Sequence, residues 1–263
     1  MSALAVYSDD NFSTELAKSF GKACDSYLPA ARLQQQVAQQ ALSLLAADAN
    51  GHLVDLGCGP GWLHPQLANY CQHFTAIDLS AGMLAKAAEL ALAKQYLQAD
   101  AQALPLRDHS VDKLFSSLML QWCSDPEIVL NEINRVLKPG GHAVLTTLTD
   151  GTLSELKQAF AALDNKPHVN PFLSADALMQ AAKNVAGIHW QFALQPVVLY
   201  YGDVQALARE LKALGASRVA GRTATPFAGK AYWQKLNQAY EPFRHAQGLA
   251  ATYQVLTITG QKK

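Results

Sequence analysis

The stretch LVDLGCGPGW, residues 53–62, constrains the fold of this 263-residue chain more than any other part of its sequence. Apolar residues lead into three alternating glycines, Gly57, Gly59 and Gly61, and LHPQLANY follows, an order that predicts a strand, a tight loop and a helix. Glycines let a ligand lie against the main chain, and the free N–H groups at the start of a helix attract negative charge. We therefore expect a site for a nucleotide-like or carboxylate-bearing ligand at the head of an α/β sheet.

Strands and helices alternate through the first half of the chain. The predicted strands are residues 52–56, 73–80, 95–99, 110–120 and 142–148. The predicted helices are residues 11–20, 30–47, 81–93 and 125–137. Because these strands are apolar throughout, the pattern predicts an α/β fold with a doubly wound, mostly parallel sheet that is covered on both faces.

The pattern changes after residue 150, where helices are predicted at 151–164 and 174–185 and long strands at 188–201 and 252–260. Two late strands would complete a seven-stranded sheet and leave residues 203–248 as a helical insertion between them. Ligands of open α/β sheets bind beyond the carboxyl ends of the strands, where such an insertion could form a lid. We expect a single domain, 1–263, with the helices of residues 1–50 over the ligand site.

The formal net charge is zero, so no overall field favours nucleic acid or a membrane surface. Residues 200–263 nevertheless carry nine lysines and arginines against three acidic residues, which predicts either a face for an anionic partner or an ordinary solvated helix face. No apolar run approaches the ~20 residues that cross a bilayer. The first residues lack the pattern of a secretory signal, so we expect a cytoplasmic protein. The four cysteines have no metal-ligand spacing, and we expect no metal.

The glycine spacing and two acids narrow the choice of ligand. The loop reads GxGxG rather than the GxGxxG of dinucleotide sites, and the Gly-Lys-Ser/Thr of a P-loop is absent. Asp78 ends the second strand, where it can accept both ribose hydroxyls of an adenosine, and Asp100 ends the third, beside the expected adenine amino group. The predicted cofactor-binding residues are Asp55, Gly57, Cys58, Gly59, Gly61, Asp78, Leu79, Asp100 and Ala101.

Through DLGCGPG (55–61), Asp78, Asp100 and RVLKPGG (135–141), the chain resembles the class I S-adenosylmethionine-dependent methyltransferases. The resemblance implies a Rossmann-like methyltransferase fold and S-adenosyl-L-methionine as the cofactor. In that family the glycine loop holds the methionine part, the second-strand acid the ribose and the third-strand acid the adenine.

Further blocks look like the malonyl-acyl carrier protein O-methyltransferases of biotin synthesis, and they span roughly residues 20 to 256. They are FGKACDSYLPAARLQ, MLQWCSDP, TTLTDGTLSEL, HVNPFL, LKALGASRVAGR and GLAATYQVL. The resemblance implies methyl transfer to the free carboxylate of malonyl-acyl carrier protein, which gives the ester that primes pimeloyl formation. Acyl carrier proteins are strongly acidic, so we expect docking on the basic face of residues 200–245.

A carboxylate with a pKa near 4 is already ionised at neutral pH, so this reaction needs no general base. It does need a charged partner in a partly dry pocket, and arginine suits a carboxylate best. We predict Arg222 first and Arg218 second for that role, ahead of Arg209 and Arg244. Tyr27 could close over the cofactor and meet it or the substrate carboxylate, or could pack an N-terminal helix onto the sheet.

Four further residues are candidates for the substrate pocket. Gln121 and Trp122 follow the fourth strand on the usual acceptor side of this fold, although Trp122 could equally belong to the core. His168 and Asn170 could line the substrate channel or cap a loop. Two other functions remain open: methylation of another small acceptor, such as a quinone precursor or a free carboxylic acid, and cofactor binding without catalysis.

Overall fold

The computed structural model describes residues 10–45, 49–164, 166–216 and 229–263. Three helices precede the sheet: α1 (Asp10–Lys22), α2 (Cys24–Ala30) and α3 (Arg32–Leu42). The sequence predicts the first and third but not α2, because Pro29 lies inside it. A proline removes a backbone donor and disfavours a helix interior, and α2 ends one residue after it.

The sheet runs in the order β3-β2-β1-β4-β5-β8-β6, with the short β7 paired to β8. Its strands are β1 (His52–Leu56), β2 (His73–Asp78), β3 (Gln95–Gln98), β4 (Val111–Ser117), β5 (Leu137–Leu148), β6 (Ile188–Tyr201), β7 (Arg244–His245) and β8 (Gly248–Lys262). The first five strands pair in parallel, whereas β8 is antiparallel to both β5 and β6. The predicted doubly wound, mostly parallel sheet is confirmed, and the two-residue β7 is added to the seven expected strands.

The remaining helices are α4 (His64–Leu67), α5 (Ala81–Ala88), α6 (Pro126–Val136), α7 (Ser154–Ala161), α8 (Ala175–Asn184), α9 (Val204–Ala213) and α10 (Lys230–Tyr240). Side chains placed just before four of them cap their first turns, and at α8 Ser174 accepts from the backbone of Ala177. Ser80 accepts from the backbone of Met83 at α5, and Asp125 and Asp203 do the same for α6 and α9. Such caps satisfy donors that have no partner within the helix.

Several predicted boundaries differ from the observed ones, among them the start of β5 and the end of α5. Strand β5 begins at Leu137 rather than at 142, because Leu137 already pairs with Val111. The register with β4 then shifts within the KPGG segment, where Gly140 has φ of 79°. Lys138 fixes this segment by an ion pair of 2.7 Å to Asp112. Helix α5 ends at Ala88 instead of 93, and Ala91 has a left-handed backbone with φ of 51°.

The core has layers on both faces of the sheet. On one face Leu114 of β4 and Ile133 of α6 are fully buried in a cluster that also includes residues of α8, and on the other Leu53 and Phe74 are covered by α3, α4 and α5. A third cluster joins β6 and β8 to α7, α9 and α10. The carboxyl ends of β1, β2 and β4 therefore open between these layers. Within the described ranges, no helix has the length and apolar character that crossing a membrane requires.

Helices α9 and α10 lie between β6 and β8 in the chain, where the sequence predicts an insertion. Helix α9 contacts α2, and α10 contacts α7 and α9. The side chains of Ser19 and Ser26 donate to the carbonyls of Gly215 and Ala213, tying the N-terminal helices to the end of α9. A lid role for residues 203–248 stays a prediction.

Candidate functional site

The glycine loop turns sharply at the carboxyl end of β1. The N–H groups of Gly57 and Cys58 both donate to the carbonyl of Ile77, at 2.8 and 3.0 Å. Gly57 has φ of +75°, and a Cβ on it would lie 2.5 Å from the side chain of Met119. Only glycine satisfies both the backbone angle and the space, so the loop is held as a fixed surface against β2.

Asp78 is anchored by two backbone donors. The N–H of Gly59 donates to its Oδ2 at 2.9 Å, and that of Ser80 to its Oδ1 at 2.8 Å. Burial raises the pKa of the Asp78 carboxyl to about 6, although both hydrogen bonds act to lower it. Each carboxylate oxygen accepts more than one hydrogen bond, so the anchored acid still offers acceptors to a pair of ligand hydroxyls.

A first cavity of about 130 Å³ lies between the glycine loop, Asp78, Asp100 and the N-terminal helices, and we name it the loop cavity. Predicted site residues in its wall are Tyr27, Gly57, Gly59, Asp78, Leu79, Asp100, Ala101 and Trp122. The sequence interpretation expected the N-terminal helices over the ligand site but did not name the residues that α1 supplies to this wall: Ser13, Leu16, Ala17 and Phe20. Their spacing places them on one helix face, a signal that was present in the sequence.

Three predicted cofactor residues lie outside the wall of the loop cavity. Asp55 is 4% exposed, and its Oδ2 lies 3.3 Å from Nε2 of His64, a buried residue that the sequence interpretation missed. A Cβ on Gly61 would lie 2.7 Å from the His64 ring, so these two residues are packed together under the loop. Burial raises the pKa of the Cys58 thiol well above its ordinary value. Their direct contact with a cofactor stays a prediction.

A second cavity of about 330 Å³, named here the chamber, lies between the N-terminal helices, α7, α9 and α10. Its wall includes all four predicted pocket residues: Gln121, Trp122, His168 and Asn170. Most other wall residues are apolar, among them Leu156 and Trp233. The chamber can therefore hold an extended, largely apolar group, while the substrate contacts of the four residues stay predictions.

Four side chains line both cavities and form a neck between them: Phe20, Tyr27, Leu118 and Trp122. The rings of Phe20 and Trp122 meet edge to face with centroids 5.5 Å apart. Leu118 has φ of 52°, a strained angle for a leucine, and its N–H donates to the carbonyl of Thr146 at 2.9 Å. The loop cavity and the chamber therefore adjoin at this neck.

Tyr27 is the neck residue that carries a hydroxyl group, and this hydroxyl could act on either ligand. Burial, and secondarily the charge of Asp78, raise the pKa of its phenol well above the ordinary value. The group therefore stays protonated near neutral pH and offers an O–H donor rather than a base. Gln121 lies beside the neck, where its Nε2 donates to the carbonyl of Leu118 at 2.7 Å and its Oε1 accepts from Thr147.

The predicted arginines are not in the described wall of the chamber. Arg218 and Arg222 lie outside the described residues. Arg209 lies 3.8 Å from Asp203 and Arg244 pairs with Glu241, both at the surface. Within the described ranges no arginine lines either cavity, and no group of three His, Cys, Asp or Glu residues could hold a metal ion.

Residues 54–145 match the family model described as a methyltransferase domain. The chain is 39% identical to the malonyl-[acyl-carrier protein] O-methyltransferase of Pseudescherichia vulneris, with 80% of this chain and 83% of the relative covered. It is 40% identical to the enzyme of that name from Alcanivorax borkumensis, over 94% of this chain and 86% of the relative.

The chain is also 39% identical to the biotin biosynthesis bifunctional protein BioHC of Cellvibrio japonicus, of whose length it spans about half, 48%. Among solved structures, the YcgJ protein of a Bacillus species is similar with a TM-score of 0.60 at 19% identity. That alignment covers 87% of this chain and 99% of the other. A likeness at this identity concerns the fold.

Proposed function

The chain belongs to the malonyl-[acyl-carrier protein] O-methyltransferase family, and from this we propose that it transfers a methyl group from S-adenosylmethionine to the free carboxylate of malonyl-acyl carrier protein. The product would be the malonyl methyl ester that primes pimeloyl formation in biotin synthesis. Relatives of that name are 33–40% identical over most of the chain. The structural observation that carries the proposal is the neck, because the loop cavity with its two acids and the larger apolar chamber adjoin there.

The loop cavity fits S-adenosylmethionine, which supplies an electrophilic methyl group on a sulfonium. Asp78 is oriented by Gly59 and Ser80 and can accept from both ribose hydroxyls. Asp100 lies in the same wall and is fixed by the N–H of Gln102 at 2.8 Å. The bare backbone of the glycine loop leaves room for the methionine part. Two acids in one wall also suit a cofactor that carries positive charge.

The proposed chemistry requires positioning rather than proton transfer. The malonyl carboxylate is ionised at neutral pH and attacks as it is. Tyr27 keeps its proton, so we assign it a hydrogen bond that orients the carboxylate or the cofactor at the neck. Phe20 and Trp122 keep water from the same place. Holding two reactants in line and excluding water are sufficient sources of rate for such a transfer.

We propose Arg222, with Arg218 as the second choice, as the charged partner of the malonyl carboxylate. Both belong to the segment that connects Ala216 with Tyr232, and these two residues line the chamber. Arg222 and Arg218 are the two arginines that the sequence contains between α9 and α10. Arginine meets a carboxylate with two parallel hydrogen bonds, which would orient the attacking oxygen.

For the carrier protein we propose docking on the basic face that is formed by Arg209, Lys212, Lys230 and Lys235, together with Arg218. The first four are exposed on α9 and α10, the helices that also supply chamber wall. The double variant Lys212→Glu with Lys235→Glu should raise KM for malonyl-acyl carrier protein about tenfold and weaken its dependence on salt. Lys183→Glu, a single charge reversal on the exposed surface of α8, should leave both unchanged.

The decisive experiment supplies methyl-labelled cofactor with malonyl-acyl carrier protein or with malonyl-coenzyme A. Base-labile label on the carrier-bound product is expected, because a methyl ester is hydrolysed by base. A label that resists base would point to a different acceptor atom. Cofactor binding without transfer to either substrate would refute the proposed function.

A further inference from the structure

The side chain of His168 is held in one orientation at the wall of the chamber. It is 3% exposed, and its Nε2 lies 2.8 Å from Oδ1 of Asp164. Its ring stacks on Phe160 with centroids 3.7 Å apart and planes within 6° of parallel. Together the hydrogen bond and the stacked ring fix both the position and the rotation of the imidazole.

These contacts also assign the proton of the imidazole. Burial alone would raise the pKa of the Asp164 carboxyl, but the N–H of Lys166 and the His168 ring hold it below its ordinary value. The hydroxyl of Tyr232 donates to the other oxygen of Asp164 at 3.2 Å. An ionised carboxylate only accepts hydrogen bonds, so Nε2 of His168 is the donor, and in the tautomer that has its one proton on Nε2 the atom Nδ1 carries a lone pair.

Nδ1 of His168 is buried and has no hydrogen-bond partner within the part of the chain that the structure describes. A buried acceptor without a donor is costly, and native proteins rarely retain one without a reason. The imidazole lines the chamber in which the proposed substrate would lie. A donor supplied by that substrate would remove the cost on binding.

We propose that Nδ1 of His168 accepts a hydrogen bond from an amide N–H of the pantetheine arm that carries the malonyl group. The inference rests on the proposed function, because it takes the substrate to be a carrier-bound thioester. The malonyl carboxylate and the thioester carbonyl are acceptors only and cannot satisfy a lone pair. The arm has amide N–H groups, and the chamber volume of about 330 Å³ exceeds what a three-carbon acyl group fills. His168 is thus assigned to recognition of the arm.

The test compares two small thioesters as competitors of malonyl-acyl carrier protein methylation. Malonyl-pantetheine has the arm amides, and the S-butyl thioester of malonate has the same reacting end without them. The variant His168→Phe keeps the stacked ring and removes the acceptor. It should raise the inhibition constant of malonyl-pantetheine three- to tenfold, as expected for the loss of one neutral hydrogen bond. The inhibition constant of the butyl thioester and the dissociation constant of S-adenosylmethionine should not change.

A second variant separates recognition from packing. His168→Asn loses the stacked ring but places an amide oxygen near the position of Nδ1, so it should retain most of the preference for malonyl-pantetheine. Equal weakening of both thioesters by His168→Phe would overturn the inference and point to the malonyl end or to chamber shape. No change for either would exclude contact. If wild-type protein methylates no malonyl thioester, the proposed function itself fails.

Discussion

The N–H of Gly59 donates to Oδ2 of Asp78 at 2.9 Å, so the glycine loop of β1 is joined to the last residue of β2. The N–H of Ser80 holds the other carboxylate oxygen from the opposite side. The acid is therefore oriented before a cofactor enters. Preorganised acceptors lose little freedom on binding, which makes Asp78 the strongest candidate for the cofactor's affinity.

Asp78→Asn should weaken S-adenosylmethionine binding roughly tenfold to a hundredfold, because charge-assisted hydrogen bonds are replaced by neutral ones and an amide nitrogen must face a backbone donor. Isothermal titration calorimetry would measure the change. Asp176→Asn, at an exposed position of α8, is the matched control and should bind the cofactor normally. Wild-type affinity in Asp78→Asn would remove this residue from the site.

Cofactor affinity should fall as the pH is lowered through about 6, the raised pKa of Asp78. Protonation removes charge and an acceptor from the carboxyl that is predicted to bind the ribose. The stability of the cofactor-free protein should show the opposite trend, because the contribution of Asp78 decreases as the pH rises. The folded carboxyl binds its proton more tightly than the unfolded one, so this group's stabilisation is lost as pH rises from about 4 to about 6.

Both pH trends should be absent from Asp78→Asn, which cannot titrate at this position. Binding and thermal denaturation between pH 5 and 7.5, in wild type and variant, would measure them. If the variant keeps the wild-type pH dependence of affinity, another group titrates in the site.

Gly57→Ala should destabilise the cofactor-free protein by about 2–4 kcal/mol, because a left-handed alanine is strained and its Cβ meets Met119 at 2.5 Å. Gly59→Ala has a similar backbone angle but no atom within 4 Å of the new Cβ, so only about 1–2 kcal/mol is expected. Chemical denaturation of the two variants would separate the cost of the clash with Met119 from the cost of the left-handed backbone angle. Equal losses would show that Met119 moves aside.

Gly82→Ala should lower cofactor and substrate affinity together. Its Cβ would lie 2.8 Å from Cα of Gly21, which is backbone and cannot turn away, so α1 must move off α5. Overpacking of this kind costs about 1–3 kcal/mol. Both KM values should therefore rise by about tenfold. Gly202→Ala has open space around the new Cβ and should behave like wild type; a change confined to one KM would contradict this account.

Tyr27→Phe should lower kcat/KM by about tenfold without changing the melting temperature, because the ring still packs and one hydrogen bond is lost. The pH profile of kcat should keep its shape, since the pKa of the phenol lies well above neutral and the group is not a base. Steady-state kinetics between pH 6 and 9 would measure both. A variant that loses one basic limb of the profile would make Tyr27 a proton acceptor instead.

The fold was largely predictable because its strands are apolar and its glycine loop has few structural solutions. Strand β6 was predicted with its observed bounds, 188–201. Helix α2 was not, because local propensity argues against a helix that contains Pro29. Its helical state depends on contacts with α1, which directly precedes it, and with α5 and α9, which lie far away in sequence.

The site residues were easiest to predict where an acid ends an apolar strand, as Asp78 and Asp100 do. Both lie in the wall of the loop cavity. His64 could not be found, because its importance comes from lying under the loop beside Asp55. The pairing of His168 with Asp164 could not be predicted either, because it depends on the turn after α7, which brings the carboxylate to the imidazole ring.

Phe20 stands in the wall of both cavities, and the helix that carries it also closes the loop cavity with Ser13, Leu16 and Ala17. Withdrawing α1 to exchange the cofactor would also remove one side of the chamber. If α1 moves in this way, we expect release of the two ligands to be linked, so that the spent cofactor leaves only after the methylated product has left the neck. Such an enzyme would release the carrier-bound product first and the spent cofactor second. It would also hydrolyse little cofactor with water.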